Sequence, residues 1–171
     1  SQRIGAADAA LLFGGADAEG GIGDWYVSNG VVRAVIDDAA IAGDLVGIVA
    51  PGLEPTIQSQ ISPTGGTLID LGRVGRDGDE LTQLTTVGGL SASNFAYYDT
   101  VIAPAPGVVR ASGGVLLPGV SDLPTLCLRI VTDYAALGSD PFLTLTTTAT
   151  NQCGGVVSAL GGFLDAVPWT L

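Results

Sequence analysis

An Asn-Gly dipeptide between two β-favouring runs constrains the fold of this chain more than any other feature. Asn29 and Gly30 lie within the segment 23–36, whose flanks are rich in valine, isoleucine and aromatic residues. Asn-Gly is the strongest short-range signal for a type I′ turn, because that turn needs two residues with positive φ. The segment therefore predicts an antiparallel β-hairpin.

A two-residue turn would also fix the register of this hairpin. It creates two cross-strand pairs on one face, Val27 with Val32 and Trp25 with Ala34. We expect that face to be buried, since it carries the apolar residues. Tyr26 and Arg33 then share the opposite face.

The composition fits one all-β domain spanning residues 1–171. A hydrophobic fraction of 47% is enough for a sizeable core in a chain of 171 residues. The 26 glycines and nine prolines are typical of short strands joined by tight turns. Six arginines, no lysine and 17 acids give a net charge of −11. Nucleic-acid binding is excluded, because cations are needed to displace counterions from phosphates.

Missing residue types exclude several chemistries. The chain has no histidine, which removes the Ser-His-Asp triad and histidine-ligated zinc. Without lysine there is no Schiff base and no Walker-type phosphate loop. The absence of methionine predicts a processed chain or a piece of a longer one. No apolar run approaches the ~20 residues of a membrane-spanning helix, so we expect no membrane insertion.

Short apolar or alternating runs predict nine or ten strands, a number that suits a two-sheet sandwich. Beyond the hairpin, the runs are Leu45–Ala50, residues 54–66 as an edge strand or loop, Thr67–Leu71, Leu81–Val87, Phe95–Ala103, Val108–Leu117, Thr125–Tyr134 and Phe142–Thr150. Gly113-Gly114 predicts a bulge within its strand. Ala6–Phe13 is a short helical candidate, and no other window shows helical periodicity.

Two cysteines, Cys127 and Cys153, suit one disulfide in an oxidising compartment, with two buried thiols as the alternative. A direct hairpin between the last two long strands would place Cys127 near Thr148. The sulfur atoms then meet only if the chain turns back after Asn151, which Gly154-Gly155 would permit.

Two segments resemble known domains. Residues 124–151 run from one strand ending in tyrosine, through a short polar loop, to a second strand ending in asparagine. This pattern resembles the paired long strands of galactose-mutarotase-like supersandwich domains. Residues 20–37 and 65–70 look like the opening of N-terminal β-sandwich domains in large secreted bacterial proteins and lipoproteins. The resemblance implies a twisted antiparallel sandwich and export. Mutarotase activity does not carry over, because that reaction uses histidine.

An acidic loop is a candidate calcium site. Its oxygen ligands would come from Asp70, Asp77, Asp79 and Glu80. Carboxylates on a glycine-relieved turn suit Ca²⁺, although their order does not match an EF-hand. The alternative is a solvated loop in which two nearby arginines neutralise the acids. Together with Asp24, these acids are also the candidates for a glycosidase-type carboxylate pair.

Aromatic and threonine side chains are candidate binding surfaces. Tyr26, Tyr97 and Tyr98 are the candidates for a platform that stacks on sugar rings, whereas Trp25 is expected in the core. In the strand Phe142–Thr150, alternation turns Leu143 and Leu145 inward. It turns four threonines outward, either to solvent or to another sheet or subunit: Thr144, Thr146, Thr148 and Thr150.

These observations lead to three functional hypotheses. The first is a non-catalytic sandwich module of a secreted or cell-surface protein, with a structural or docking role toward a protein partner or a second copy. The apolar end, Phe163–Leu171, favours it, because such a segment normally needs covering. The second is carbohydrate binding. The third is a carboxylate-based polysaccharide hydrolase or lyase.

The disulfide yields a direct prediction. Thiol titration of the unfolded, unreduced chain should detect no free thiol. Reduction should lower the free energy of unfolding by about 3 kcal/mol, because the closed loop no longer restricts the unfolded chain. Two titratable thiols in the unreduced protein would contradict the pairing.

Overall fold

The chain folds into an all-β, two-sheet sandwich, as the sequence predicts. A computed structural model describes residues 1–15, 18–39, 65–76, 78, 81, 83–88, 96–115, 125–152 and 163–166. The predicted strand Leu45–Ala50 and most of the segment 54–66 lie outside these ranges. The helical element within them is a short 3-10 helix, Ala6–Leu11.

The first sheet has the order β1-β2-β3-β4 and the second has the order β6-β7-β8-β9, while β5 pairs with β10. All of these pairings are antiparallel. The strands are β1 Gln2–Arg3, β2 Trp25–Ser28, β3 Val32–Ile36, β4 Leu68–Arg73, β5 Thr85–Gly88, β6 Ala96–Ala105, β7 Val108–Val115, β8 Thr125–Ala135, β9 Thr144–Asn151 and β10 Phe163–Ala166.

The β2–β3 hairpin forms where predicted, but its register differs by two residues. Ser28 lies opposite Arg33, and Val27 lies opposite Ala34 rather than Val32. The turn is longer than two residues because the Asn29 side chain builds it. Its Oδ1 accepts the backbone N–H groups of Val31 and Val32, each at 3.0 Å. A shift of two residues keeps every side chain on its predicted face.

The space between the sheets is filled by alternate side chains of both. Leu128 and Ile130 of β8 are buried there, while Arg129 between them is exposed. Val27 and Ala34 of the hairpin face the same core, which confirms the buried face predicted for that hairpin. Strand alternation therefore sets the interior of the sandwich.

Two tyrosines cross the core and place their hydroxyls on polar partners. The Tyr98 hydroxyl lies 2.7 Å from Thr132 Oγ1, and the Tyr134 hydroxyl donates to the Gly66 carbonyl oxygen at 3.0 Å. Gly66 has a φ of 73°, and a Cβ there would overlap the Tyr98 side chain. These contacts hold the chain just before β4 against the second sheet.

The outer face of the first sheet is covered by the N-terminal segment. Ile4 and Phe13 pack there on Val35 and Ile69. The buried guanidinium of Arg33 lies 4.0 Å from the centre of the Phe13 ring, and its Nη2 donates to the Arg76 carbonyl oxygen at 2.6 Å. Arg33 thus shares the outer face with Tyr26, as predicted.

The predicted bulge at Gly113-Gly114 is present. The β6–β7 register shifts between Tyr98 and Thr100, and the β7–β8 register shifts between Gly113 and Val115. A Cβ at Gly113 would overlap the carbonyl of Tyr97, so the close approach of these strands requires glycine.

The β8–β9 register differs from the one predicted. Leu128 lies opposite Asn151 and Ala135 lies opposite Thr144, so the connection is longer than a direct hairpin turn. Cys127 therefore lies beyond the last pair, well past Thr148 along the partner strand. Cys153 and the Cys127 side chain lie outside what the structure describes, and the disulfide stays a prediction.

The role of Asn29 is testable by substitution. Its Nδ2 also donates to the carbonyl oxygens of Leu137 and Asp140, at 3.2 and 2.8 Å, and so ties the first sheet to the β8–β9 connection. Asn29→Ala should lower the free energy of unfolding by about 1–2 kcal/mol, because turn N–H groups lose their acceptor. Urea unfolding measures the loss.

A second variant separates the two roles of this side chain. Asn29→Asp keeps the Oδ1 acceptor but replaces the donor with an oxygen that faces two carbonyls. It should leave the hairpin amide shifts in place while perturbing those around residues 137–140. A stability equal to wild type in both variants would contradict this account.

Candidate functional site

The structure does not assemble the predicted aromatic platform. Tyr97 and Tyr98 are only 4% and 1% exposed. Tyr98 lies in the core between the sheets, and burial raises the pKa of Tyr97. Tyr26 is half-buried and packs against the N-terminal cover of the first sheet. The expectation that these three rings share an exposed, ligand-facing surface is therefore wrong, because Tyr97 and Tyr98 are buried.

Asp70 is fully buried and holds the covering segment to the sheet. Its two carboxylate oxygens accept the backbone N–H groups of Glu19 and Gly20, at 3.0 and 2.9 Å. A Cβ at Gly20 would collide with this carboxylate, so glycine allows the close approach. Asp70 thus satisfies backbone donors of the adjacent segment, a role that its position in the acidic loop did not indicate.

The other predicted calcium ligands, Asp77, Asp79 and Glu80, lie outside the described residues. Within the described ranges, no group of three or more aspartate, glutamate or cysteine side chains is placed to hold a metal ion. The calcium site stays a prediction.

A carboxyl pair that the sequence did not reveal lies beside the hairpin. Asp24 is partly buried next to Asp37, and burial raises the pKa of Asp24 above its ordinary value of 3.8. The Asp37 charge and a hydrogen bond between the two carboxyls raise the pKa further, whereas the backbone N–H groups of Gly21 and Asp38 lower it. A raised carboxyl pKa beside a second acid is a feature of some catalytic sites.

The surroundings of Asp24 point instead to a structural hydrogen-bond network. Its Oδ2 accepts the N–H of Gly21 at 2.7 Å, and its Oδ1 accepts the N–H of Asp38 at 3.0 Å. Asp38 in turn accepts the Trp25 indole N–H at 3.0 Å and pairs with Arg3. Each of these carboxylate oxygens accepts a hydrogen bond from a donor of the protein. The geometry therefore favours a structural role, in which Asp24 and Asp38 hold the chain that follows β3, over a catalytic role.

The open edge of β9 is the described feature best suited to bind something. β9 is an outer strand of the second sheet, paired with β8 in unbroken register along all eight of its residues. Among the described strands, none pairs with its other side. No residue of β9 is buried, and six of the eight are exposed. Along Thr144–Thr150, such an edge can offer backbone N–H and C=O groups to another strand.

The opposite edge of this sheet is protected. β6 carries Asp99 and Pro104, and its register is broken twice, near Tyr98 and after Ile102. Charges, prolines and bulges are the usual means by which proteins blunt sheet edges. β9 has none of them: its sequence is Thr-Leu-Thr-Thr-Thr-Ala-Thr-Asn.

The face of β9 matches the prediction from alternation. Thr144, Thr146, Thr148 and Thr150 are exposed, while Leu145 is half-buried against the core. The neighbouring outer face carries a bidentate ion pair, in which Arg110 donates to Asp133 at 2.6 and 2.7 Å. The sequence showed this threonine row, but not that its strand ends the sheet.

The chain matches no protein-family model, no curated protein and no solved structure. The likeness to galactose-mutarotase-like domains therefore stays a prediction. Of the helical segments that the structure describes, none is long and apolar enough to cross a membrane.

The carboxyl pair leads to a prediction about pH. The pKa of Asp24 is raised in the folded state, so protonation of this carboxyl group stabilises the fold. That stabilisation is fully present below about pH 3.8 and is lost as the pH rises through the folded pKa. Asp37→Asn should lower the pKa of Asp24, so the free energy of unfolding should decrease less between pH 3.8 and the folded pKa. We expect a gain of about 0.5–1 kcal/mol at neutral pH, the scale of a solvent-screened charge pair.

Carboxyl-carbon NMR titration reports the pKa of Asp24, and urea unfolding reports the stability. Asp140→Asn removes the same charge from an exposed loop and serves as the control. An unchanged Asp24 titration in Asp37→Asn would contradict the coupling.

Proposed function

We propose that this chain is a non-catalytic β-sandwich module of a secreted or cell-surface protein, and that it docks to a protein partner through the β9 edge. The observation that carries the proposal is the exposed, uncharged edge strand Thr144–Asn151. Strand addition to such an edge supplies affinity through main-chain hydrogen bonds and specificity through alternate side chains.

The charge distribution supports docking at this edge. The chain has a net charge of −11, yet β9 has no charged residue. Burying an uncharged strand avoids the desolvation cost that charged side chains would add. The threonines suit the contact as well, because they favour extended backbone and form cross-strand pairs.

The other functional hypotheses receive less support from the described residues. Carbohydrate binding relied on Tyr26, Tyr97 and Tyr98, of which Tyr97 and Tyr98 are buried and Tyr26 is half-buried. Carboxylate catalysis needs an acid with a free face, whereas the oxygens of Asp24 and Asp70 accept backbone N–H groups. Export rests on the two cysteines and on the likeness to secreted domains.

Peptide selection tests the docking function. A displayed library of uncharged extended peptides should enrich sequences rich in threonine and other β-branched residues. Binding should protect β9 amides from hydrogen exchange and leave β6 amides unchanged, because the β6 edge carries the charge, proline and register breaks that β9 lacks.

A pair of matched variants identifies the docking edge. Thr148→Lys places a charge on the exposed face of β9, and Thr100→Lys places the same charge on the exposed face of β6, at the other edge. Enriched peptides should lose binding to Thr148→Lys and keep it to Thr100→Lys. Equal binding to both variants, or no enrichment together with glycan hydrolysis, would refute the proposal.

A further inference from the structure

We infer that the strand received by β9 is the β9 strand of a second copy, paired antiparallel across a two-fold axis at Thr147. This inference rests on the proposed docking function and names its partner. It follows from the order of residues along the strand, from its neutrality and from the protection of the opposite sheet edge.

The amino-acid sequence of β9 is nearly palindromic. The run Thr144–Thr150 reads Thr-Leu-Thr-Thr-Thr-Ala-Thr, which differs from its reverse only by the exchange of Leu145 and Ala149. A two-fold axis perpendicular to the sheet sets each residue opposite its counterpart in the reversed strand. Residues of one face then meet residues of the same face.

This register joins like with like on both faces. On the outer face, Thr144 meets Thr150 and Thr146 meets Thr148, and the axis repeats both pairs. On the inner face, Leu145 meets Ala149. Threonine pairs and apolar pairs directly opposite each other stabilise antiparallel strands. Moving the axis by one residue, to Thr148, would set Leu145 opposite Asn151, so the sequence favours Thr147.

Charge favours contact at this edge over other surfaces of the chain. Two copies, each with a net charge of −11, repel, and that repulsion is smallest where a neutral strand meets another. The antiparallel arrangement also brings the Thr150 end of one copy to the Thr144 end of the other. Exposed Arg129 lies opposite Thr150 at the first end, and exposed Asp140 precedes Thr144 at the second.

The assembly should stop at two copies. The other edge of the same sheet, β6, carries Asp99, Pro104 and two breaks in register, so it is a poor template for a further strand. In an isologous contact the β9 edges of both copies pair with each other, so neither copy keeps an open β9 edge. The expected product is a closed dimer with one continuous sheet of eight strands.

Sedimentation velocity tests the dimer with this chain alone. One seam of strands is a small interface, so we expect a weak dimer whose fraction grows between about 1 µM and about 1 mM. Thr148→Lys should weaken association by on the order of tenfold, because each copy brings a charge to the seam. Thr100→Lys, the matched change on β6, should associate as wild type does. Circular dichroism confirms that both variants are folded.

Cysteine cross-linking tests the register. A mixture of Thr146→Cys and Thr148→Cys chains should form a mixed disulfide dimer under mild oxidation, because these positions face each other across the seam. Each variant alone should cross-link less, since its own cysteines lie diagonally apart. Equal or stronger cross-linking within one variant would overturn the axis at Thr147.

The outcomes separate this inference from the docking function. A chain that stays monomeric up to about 1 mM, yet binds selected peptides at β9, would overturn the self-pairing and leave docking intact. A dimer that persists unchanged in Thr148→Lys would overturn the β9 interface. A concentration-dependent dimer, weakened by Thr148→Lys but not by Thr100→Lys, would establish it.

Discussion

The contact of Tyr98 and Tyr134 with the Gly66 segment is the interaction on which the sandwich depends. Both rings are buried between the sheets, and each hydroxyl needs a partner there because an unpaired buried hydroxyl costs about 1–3 kcal/mol. Tyr134 finds its partner in the Gly66 carbonyl oxygen, and Tyr98 packs where a Gly66 side chain would lie. The glycine, the two rings and the start of β4 therefore fix one another, and with them the spacing of the sheets.

The acids near the hairpin show how the charge of this chain is used. Asp70, Asp24 and Asp38 all accept hydrogen bonds from backbone or indole N–H groups. A carboxylate can satisfy two donors at once, which suits segments that cover a sheet without joining its ladder. Near the hairpin, carboxylates thus accept backbone N–H groups of segments that are not paired as strands.

Much of this fold was predictable from local sequence. Alternation along the β2–β3 hairpin and along Phe142–Thr150 identified the buried and exposed faces correctly, because a strand's side-chain period does not depend on its neighbours. Both hairpin registers were wrong, because Asn29 bonds to its own turn and because the β8–β9 connection is long. The open β9 edge and the Asp24–Asp37 pair were not predictable, since both depend on which strands become neighbours in three dimensions.

The buried Arg33 has a consequence for how the domain can be trimmed. Its guanidinium is capped by the Phe13 ring and by the carbonyl oxygen of Leu11, while its Nε is buried without a hydrogen-bond partner. Cutting the chain just before Trp25 would remove Phe13 and Leu11. The Arg33 guanidinium would lose these contacts, and the apolar side chains of Val35 and Ile69 would be uncovered. The minimal folding unit therefore begins well upstream of the first long strand, and the opening residues belong to its architecture as much as the sheets do.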